Sequence, residues 1–245
     1  VAKDIWQPTI GLTWNWQLQF DEEEGIDTSI EVDVFDIDLF DVPQATINEL
    51  HDKGKKVVCY FSAGTWEDWR DDAGKFKNKV KGENLADWEG EKWLDITHKA
   101  RSGVRKIMKK RLKTARDKNC DGVEPDNVMV YAEGKETTGF KVTAKEQRNY
   151  DKYLIKKAHK YGLAIAMKND IDHLEDLHED FDFAINESCI IYNECAGYTD
   201  TFLTAGKPVF HAEYKDDNTS GNKPEFCDEV PDGFSSIFKV RDGDD

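Results

Sequence analysis

Short apolar or β-branched runs recur along the chain, and segments with helical periodicity lie between many of them. Several runs, such as VVCYF and LAIAM, are almost uninterrupted by polar residues, which is typical of parallel strands buried on both faces. The pattern predicts about eight strands. They cover residues 13–19, 32–37, 56–61, 120–124, 163–168, 181–186, 208–213 and 235–240.

The segments between these runs predict helices. One begins at Pro43 and ends before Gly54, and a second, 97–118, carries an apolar stripe along one face. Thr143 and Glu146 have the spacing of a capping box, which predicts a helix ending at Gly162. A further short helix is expected over 200–206.

Alternating strands and helices indicate either an open doubly wound sheet or a closed barrel. No GxGxxG follows the first strand, and no P-loop pattern occurs. Polar residues instead follow nearly every strand, and a barrel gathers all strand ends on one rim. We therefore predict class α/β, with a single (β/α)8 TIM barrel spanning 1–245. The strand-end residues are Asp36, Asp38, Ser62, Asp126, Asn127, Asn169, Asp170, Glu187 and Glu213.

Charge narrows the possible ligands. The 245 residues include 50 acidic and 34 basic ones, giving a formal net charge of −16. Because phosphate binding requires a positive surface, we expect no nucleic-acid partner. A cationic ligand fits this charge better, although surface acid that only maintains solubility explains it equally well.

Membrane, metal and redox signals are weak. No apolar run approaches the roughly 20 residues of a membrane span, and no signal peptide precedes Val1, as expected of a mature chain. We expect no membrane partner, no cofactor and no metal, since no CxxC or Cys/His cluster occurs. His211 and Glu213 form only a weak candidate metal site.

The odd cysteine count supports secretion only weakly, and Cys189 and Cys195 are close enough to form a small loop. The cysteines are Cys59, Cys120, Cys189, Cys195 and Cys227.

Acidic residues at strand ends are the strongest candidates for chemistry. The segment CDGVEPDNV places Glu124, Asp126 and Asn127 at the end of the fourth strand, and FAINES places Glu187 after another. Glycosidic cleavage needs two carboxyl groups flanking the bond, and neighbouring strand ends supply them. The alternative for any one acid is helix capping or pairing with Lys and Arg.

Tryptophans accompany acids after the third strand. Trp66 and Trp69 lie in a segment rich in Asp, where ring faces can stack on sugars and carboxylates can bind hydroxyl or amino groups. Trp88 and Trp93 are expected to pack within loops. Trp14 and Trp16 alternate with polar residues in a strand, and core packing is expected there.

Together these segments resemble the endo-α-1,4-polygalactosaminidase family, glycoside hydrolase family 114. The resemblance runs from about Trp6 to Tyr214. It rests on WQPTIGLTWNWQLQ, VDVFDIDLFD, VVCYFSAGTWEDWR, GEKWLDI, CDGVEPDN, TGFKVTAKEQRNY, AMKND and FAINESC. It implies a secreted (β/α)8 barrel that cleaves α-1,4-linked galactosamine polymers, including the partly deacetylated galactosaminogalactan of biofilms. Separately, we expect the protein to be a monomer.

The resemblance also implies site residues. Asp126 and Glu187 match the proposed catalytic pair, with Asp126 as nucleophile or stabilising carboxylate and Glu187 as general acid/base. Mutual repulsion among the carboxylates is expected to raise the pKa of the acid. The substrate-binding residues expected from the motifs and the resemblance are Asp36, Asp38, Tyr60, Ser62, Trp66, Trp69, Glu124, Asn127, Lys168, Asn169, Asp170 and Glu213.

Other functions on this scaffold remain alternatives. A non-catalytic carbohydrate-binding barrel would keep the aromatic residues without the chemistry, and a metal-dependent polysaccharide deacetylase would need a His/Asp ligand set. A glycosidase acting on another amino-sugar polymer is the strongest alternative, because a fold does not determine a substrate.

Overall fold

Eight parallel strands form a nearly closed barrel in the computed structural model, which describes residues 4–215 and 227–240. The strands of the protein are β1 Trp14–Gln17, β2 Val34–Asp38, β3 Lys56–Ser62, β4 Thr65–Glu67, β5 Lys81–Asn84, β6 Glu91–Leu94, β7 Gly122–Asp126, β8 Ala164–Lys168, β9 Phe183–Glu187, β10 Val209–Tyr214 and β11 Phe234–Lys239. The barrel strands are, in sheet order, β1, β2, β3, β7, β8, β9, β10 and β11. The predicted barrel and the eight runs assigned to its strands are confirmed.

Side chains bridge the seam between the first and last barrel strands. The indole nitrogen of Trp14 donates to the carbonyl of Ser235 at 2.8 Å. The Ser235 hydroxyl in turn donates to the carbonyl of Leu12 at 2.6 Å, and Lys239 donates to the carbonyl of Trp16. These bonds tie β1 to β11 where the sheet closes on itself.

Helices connect most of the barrel strands. The predicted helices correspond to α1 Gln44–Asp52, α2 Arg101–Asp117 and α4 Ala144–Lys160, and the Thr143–Glu146 capping box is present. The segment expected over 200–206 is instead a π-helical turn, Thr199–Leu203. Within the described ranges, no helix is long and apolar enough to cross a membrane. The helices not predicted are α3 Val130–Thr138, α5 Leu174–Leu177 and α6 Cys195–Tyr198.

A small antiparallel sheet is inserted between β3 and α2. Its strand order is β4-β6-β5, and it was not predicted from the sequence. We call residues 65–94 the inserted sheet. Because β4 follows β3 directly, this insertion begins at the carboxyl rim of the barrel, where the active sites of such barrels are found.

Two layers of apolar side chains form the core. One lies inside the barrel, where alternate strand residues point inward, and the other lies between the strands and the helices. The inner layer includes Trp14, Trp16, Val34, Val58, Ala164, Ala166, Phe183, Ile185, Phe210 and Ala212. Core packing of Trp14 and Trp16 agrees with the sequence analysis.

Two disulfides lie near the barrel strands. Cys59 of β3 is bonded to Cys120, two residues before β7. Cys189 and Cys195 close the small loop that their spacing allowed, directly after β9. Cys227 is exposed and free.

Candidate active site

A cleft of about 510 Å³ opens at the carboxyl ends of the barrel strands. Part of its wall comes from barrel strands and the residues that follow them, and the rest comes from the inserted sheet. The barrel part includes Trp16, Asp38, Tyr60, Asp126, Asn127, Lys168, Asn169, Glu187 and Tyr214. The inserted sheet contributes Glu67, Trp69, Arg70, Leu85, Trp88 and Glu91.

The buried ammonium group of Lys168 lies among three carboxylates at the floor of the cleft. Its Nζ lies 2.6 Å from Glu124 Oε1, 3.1 Å from Asp126 Oδ1 and 3.2 Å from Glu187 Oε2. Burial alone would lower the pKa of Lys168, but the three carboxylates hold it well above its ordinary value. Lys168 is therefore charged and draws the carboxylates together.

Glu187 is held as a carboxylate. It accepts hydrogen bonds from the Tyr214 hydroxyl at 2.5 Å and from Asn169 Nδ2 at 3.2 Å. Burial alone would raise the pKa of Glu187, but Lys168 and these two donors lower it below its ordinary value. The expected raised pKa of the general acid is therefore wrong for Glu187 in the free cleft, because donors and a cation surround it.

Asp126 lies at the end of β7. It accepts hydrogen bonds from the Tyr60 hydroxyl at 3.0 Å and from Asn127 Nδ2 at 3.3 Å. Asn127 takes a left-handed conformation, with φ of 58°, and also donates to Ser62 Oγ at 3.2 Å. These contacts fix the Asp126 carboxylate on the cleft wall.

A second carboxyl pair lies below the cleft. Glu124 is fully buried and accepts a hydrogen bond from the indole of Trp16 at 3.0 Å. Among the described residues, no donor reaches either oxygen of Asp36. Burial, followed by the charge of Glu124 and their mutual hydrogen bond, raises the pKa of Asp36 well above its ordinary value. Burial therefore favours the uncharged form of the Asp36 carboxyl group.

Arginines neutralise most other acids beside the cleft. Arg70 binds Asp38 through both terminal nitrogens, at 3.1 and 2.5 Å, and also binds Asp41 and Glu67. Arg111 pairs with the second Glu67 oxygen at 2.9 Å and with Asp72. These carboxylates therefore contribute little uncompensated negative charge to the cleft.

The structure brings many predicted site residues together. Along with the proposed catalytic pair, six of the predicted substrate-binding residues line the cleft. They are Asp38, Tyr60, Trp69, Asn127, Lys168 and Asn169. Tyr214, Glu67, Arg70, Trp88 and Glu91 also line it and were not proposed as site residues. For Glu91, the available signal was its position in the family-like segment GEKWLDI.

The other six predicted substrate-binding residues lie behind the wall, so the prediction of direct substrate contact needs correction. Asp36 and Glu124 form the buried pair described above. Ser62 is buried and hydrogen-bonded to Thr65. The full set is Asp36, Ser62, Trp66, Glu124, Asp170 and Glu213.

The remaining members of this set also have structural partners. Asp170 is buried and bound to His173 Nδ1 at 2.9 Å. Glu213 accepts a hydrogen bond from the backbone of Ile190 at 2.7 Å and lies 3.1 Å from His211 Nε2. The Trp66 indole donates to the backbone, and its ring face is covered by Lys81 at 3.5 Å.

The tryptophans are arranged differently from the sequence prediction. Trp69 is exposed and lines the cleft, but Trp88 does so as well, so the expected loop packing of Trp88 is wrong. Trp93 is buried, as expected. Trp88 lies in a turn between two short antiparallel strands, and that sheet was not predicted.

One group of potential metal ligands occurs in the described part of the chain. It comprises Cys189, Cys195 and His211. Because both cysteines are in a disulfide, they offer no thiolate to a metal ion. His211 and Glu213, the weak candidate metal ligands, are hydrogen-bonded to each other.

Gly64 positions the strand end that carries Asp126. A Cβ at Gly64 would lie 1.6 Å from the backbone oxygen of Asn127, so the backbone would have to move. We expect Gly64→Ala to lower the free energy of unfolding by roughly 3 kcal/mol. The control is Gly74→Ala, because a Cβ there would have no atom within 4 Å. Urea unfolding checks both variants, and equal stabilities would contradict the prediction.

A barrel whose rim presents two carboxylates and exposed tryptophans in one cleft has the groups that glycoside hydrolysis requires. A family model for glycoside-hydrolase family GH114 matches residues 1–245, and the chain belongs to this family. Both the resemblance and the assignment as a glycoside hydrolase are confirmed.

Solved structures agree with this assignment. Aspergillus fumigatus Ega3 in complex with galactosamine is 38% identical, with a TM-score of 0.87, over 98% of this chain and 95% of that chain. The glycoside hydrolase domain of PelA from Pseudomonas aeruginosa is 13% identical, with a TM-score of 0.66, over 94% of both chains, which shows the fold alone. No curated protein sequence matches significantly.

Proposed function

We propose that the protein is an endo-acting hydrolase of α-1,4-linked galactosamine polymers, including partly deacetylated galactosaminogalactan. The observation that carries this proposal is the position of Asp126 and Glu187, which share contact with Lys168 and line one open cleft. The likeness to Ega3, whose structure contains galactosamine, supports the substrate class.

Exposure distinguishes the proposed catalytic carboxylates from their neighbour. Of the three carboxylates around Lys168, the Asp126 side chain is 17% exposed and that of Glu187 is 26% exposed. Glu124 is 0% exposed, so a substrate reaches the first two and not the third. Cleavage of a glycosidic bond needs such a pair, one group to protonate the leaving oxygen and one to stabilise or attack the anomeric carbon.

In this proposal, Asp126 is the nucleophile or stabilising carboxylate, and Glu187 is the general acid/base. Tyr60 and Asn127 hold the Asp126 carboxylate in place. Glu187 accepts a hydrogen bond from the Tyr214 hydroxyl, and it takes up a proton from solvent before it protonates the leaving oxygen. The lowered pKa of Glu187 then favours activity at acidic pH.

The residues proposed to contact the sugar are the predicted ones that line the cleft, apart from Lys168. Asp38, Tyr60 and Asn127 lie on the side of Asp126, and Asn169 lies beside Glu187. Lys168 fixes the carboxylates rather than the sugar, because its buried ammonium is already surrounded by them.

We further propose a secreted, monomeric enzyme with one catalytic domain over 1–245 that acts on biofilm exopolysaccharide. The two disulfides support secretion, because disulfides persist in oxidising compartments. The acidic net charge supports a cationic polysaccharide over an anionic one.

The substrate is tested by comparing partly deacetylated polymer with its fully N-acetylated form. Free amines are cationic and form charge-assisted hydrogen bonds with carboxylates, which contribute about 1.5–3 kcal/mol each. We expect kcat/KM, measured by release of reducing ends, to be about tenfold or more higher on the deacetylated polymer. Equal rates would contradict charge recognition, and no release from either polymer would indicate another amino-sugar polymer.

A further inference from the structure

Two exposed tryptophans on the inserted sheet face the same cleft as the catalytic pair. Trp69 is 51% exposed and Trp88 is 57% exposed, although large aromatic side chains are generally well buried. Both line the cleft wall. Flat exposed indoles in a cleft offer apolar faces on which sugar rings can stack.

The turn that carries Trp88 packs against Trp69. Gly90 has a φ of +91°, and a Cβ there would lie 3.0 Å from Trp69 Cζ3 and 2.8 Å from Asp68 Oδ1. The backbone nitrogen of Asp68 donates to the Gly90 carbonyl at 3.1 Å, and that of Glu91 donates to the Trp88 carbonyl at 3.2 Å. The glycine therefore lets the turn that carries Trp88 and Glu91 approach Trp69 closely.

Glu91 is the acidic residue that directly follows Gly90. It is only 6% exposed, yet it lines the cleft, and its Oε2 accepts a hydrogen bond from Thr65 Oγ1 at 2.6 Å. Within 4–215 and 227–240, Glu91 forms no ion pair, whereas Glu67 and Asp38 are both paired with arginine. Its carboxyl group is thus available to a cationic group in the cleft.

Burial and neighbouring carboxylates disfavour the charged form of Glu91 in the free protein. Burial raises the pKa of Glu91 to about 7. The Thr65 hydrogen bond and the charge of Arg70 lower it, whereas the charges of Glu67 and Asp126 raise it. An ammonium group placed beside Glu91 would favour the charged form and gain a charge-assisted hydrogen bond.

A chain of hydrogen bonds connects Glu91 to the catalytic centre. Thr65 Oγ1 contacts Ser62 Oγ, which accepts a hydrogen bond from Asn127 Nδ2 at 3.2 Å. Asn127 also donates to Asp126, so only three side chains separate Glu91 from the proposed nucleophile. Glu91 and Asp126 also line the same cleft, and the charge of Asp126 raises the pKa of Glu91, so a sugar bound at Glu91 would occupy the part of the cleft that contains the proposed nucleophile.

We propose that Trp69, Trp88 and Glu91 form a sugar-binding subsite on the inserted sheet that takes a 2-amino sugar adjoining the scissile bond. The indoles stack on the sugar ring, and the Glu91 carboxylate accepts a hydrogen bond from its 2-ammonium group. The subsite rests on the proposed function, and it assigns recognition of the free amine to a residue outside the barrel.

The test is calorimetric binding of an α-1,4-linked galactosamine hexamer and its N-acetylated counterpart to Asp126→Asn protein, in which hydrolysis is suppressed. Adding Glu91→Gln, which keeps an acceptor for Thr65, is expected to weaken binding of the galactosamine hexamer about tenfold. The N-acetylated hexamer should lose no more than about twofold, because it offers no ammonium group. Trp88→Ala should weaken binding of both hexamers about tenfold, since ring stacking does not depend on the amine.

Glu89→Gln is the matched control. It removes the same charge two residues away, from an exposed side chain that does not line the cleft. If the Glu91→Gln and Trp88→Ala proteins bind the hexamers as tightly as the Glu89→Gln control does, the proposed subsite is wrong. If both weaken binding as expected while the wild type releases no oligomers, the subsite holds and the proposed hydrolysis fails. No binding of the galactosamine hexamer to Asp126→Asn protein would overturn both.

Discussion

Replacing Asp126 with Asn, or Glu187 with Gln, is expected to lower kcat on galactosamine polymer by at least about 1,000-fold. An amide neither attacks an anomeric carbon nor donates the proton that the leaving oxygen requires, and general acid–base catalysis alone contributes about 10²–10⁴-fold. Both side chains are partly exposed and of nearly the same shape as their amides, so we expect folded proteins.

The measurement is the release of reducing ends under saturating polymer, with circular dichroism to verify folding. Glu175→Gln is the control, because this exposed residue of α5 lies outside the cleft wall and should keep wild-type kcat. Either active-site variant retaining more than about a tenth of wild-type kcat would exclude that residue as a catalytic carboxylate.

The dependence of kcat/KM on pH assigns the two roles, since it reports the pKa values of the free enzyme. If Glu187 is the acid, kcat/KM falls as pH rises through its lowered pKa, and the optimum is acidic. Full kcat/KM at neutral pH would instead assign the acid role to another group.

Lys168→Met is expected to destabilise the protein by about 3–5 kcal/mol at pH 7. Methionine fills a similar volume but leaves Glu124, Asp126 and Glu187 without the ammonium that binds all three. Without the ammonium group, the pKa values of Glu124 and Glu187 in the folded state should exceed the unfolded values, because burial opposes their ionisation. For groups shifted in this direction, stability is complete below the unfolded pKa and is lost as pH rises through the folded pKa.

The destabilisation caused by Lys168→Met should consequently be smaller at pH 4 than at pH 7. Urea unfolding at both pH values measures it, with Lys152→Met as the control. Lys152 forms an exposed ion pair with Asp180, and such pairs contribute about 0–1 kcal/mol. An equal loss at both pH values would contradict ionised carboxylates as the cause.

The barrel could be predicted from the sequence because its strands are buried on both faces. Segments such as Lys56–Ser62 and Ala164–Lys168 contain apolar runs that can be recognised in the sequence without knowledge of the fold. The inserted sheet could not be predicted, because β5 reads KGEN and its strands have only three or four residues. The pairing of these short polar strands depends on tertiary contacts, and the local sequence does not predict such contacts.

The location of the acids at strand ends could be predicted from the sequence, but which of these acids reach the cleft could not. On β7, Glu124 and Asp126 are two residues apart and face the same side, yet only Asp126 lines the cleft. Asp36 and Asp38 of β2 differ in the same way, because Asp36 pairs in register with Val58 of the inner core layer, whereas Asp38 pairs with Tyr60 on the cleft wall. Which layer reaches the cleft depends on strand register, and a single sequence does not reveal it.

Mass spectrometry of the products released by the wild-type protein from partly deacetylated galactosaminogalactan tests the proposed activity most directly. An endo-acting hydrolase should produce galactosamine-containing oligomers of several lengths early in the reaction, and Asp126→Asn protein should produce none. Release of monosaccharide alone would contradict endo action, and an unchanged polymer would contradict the proposed substrate.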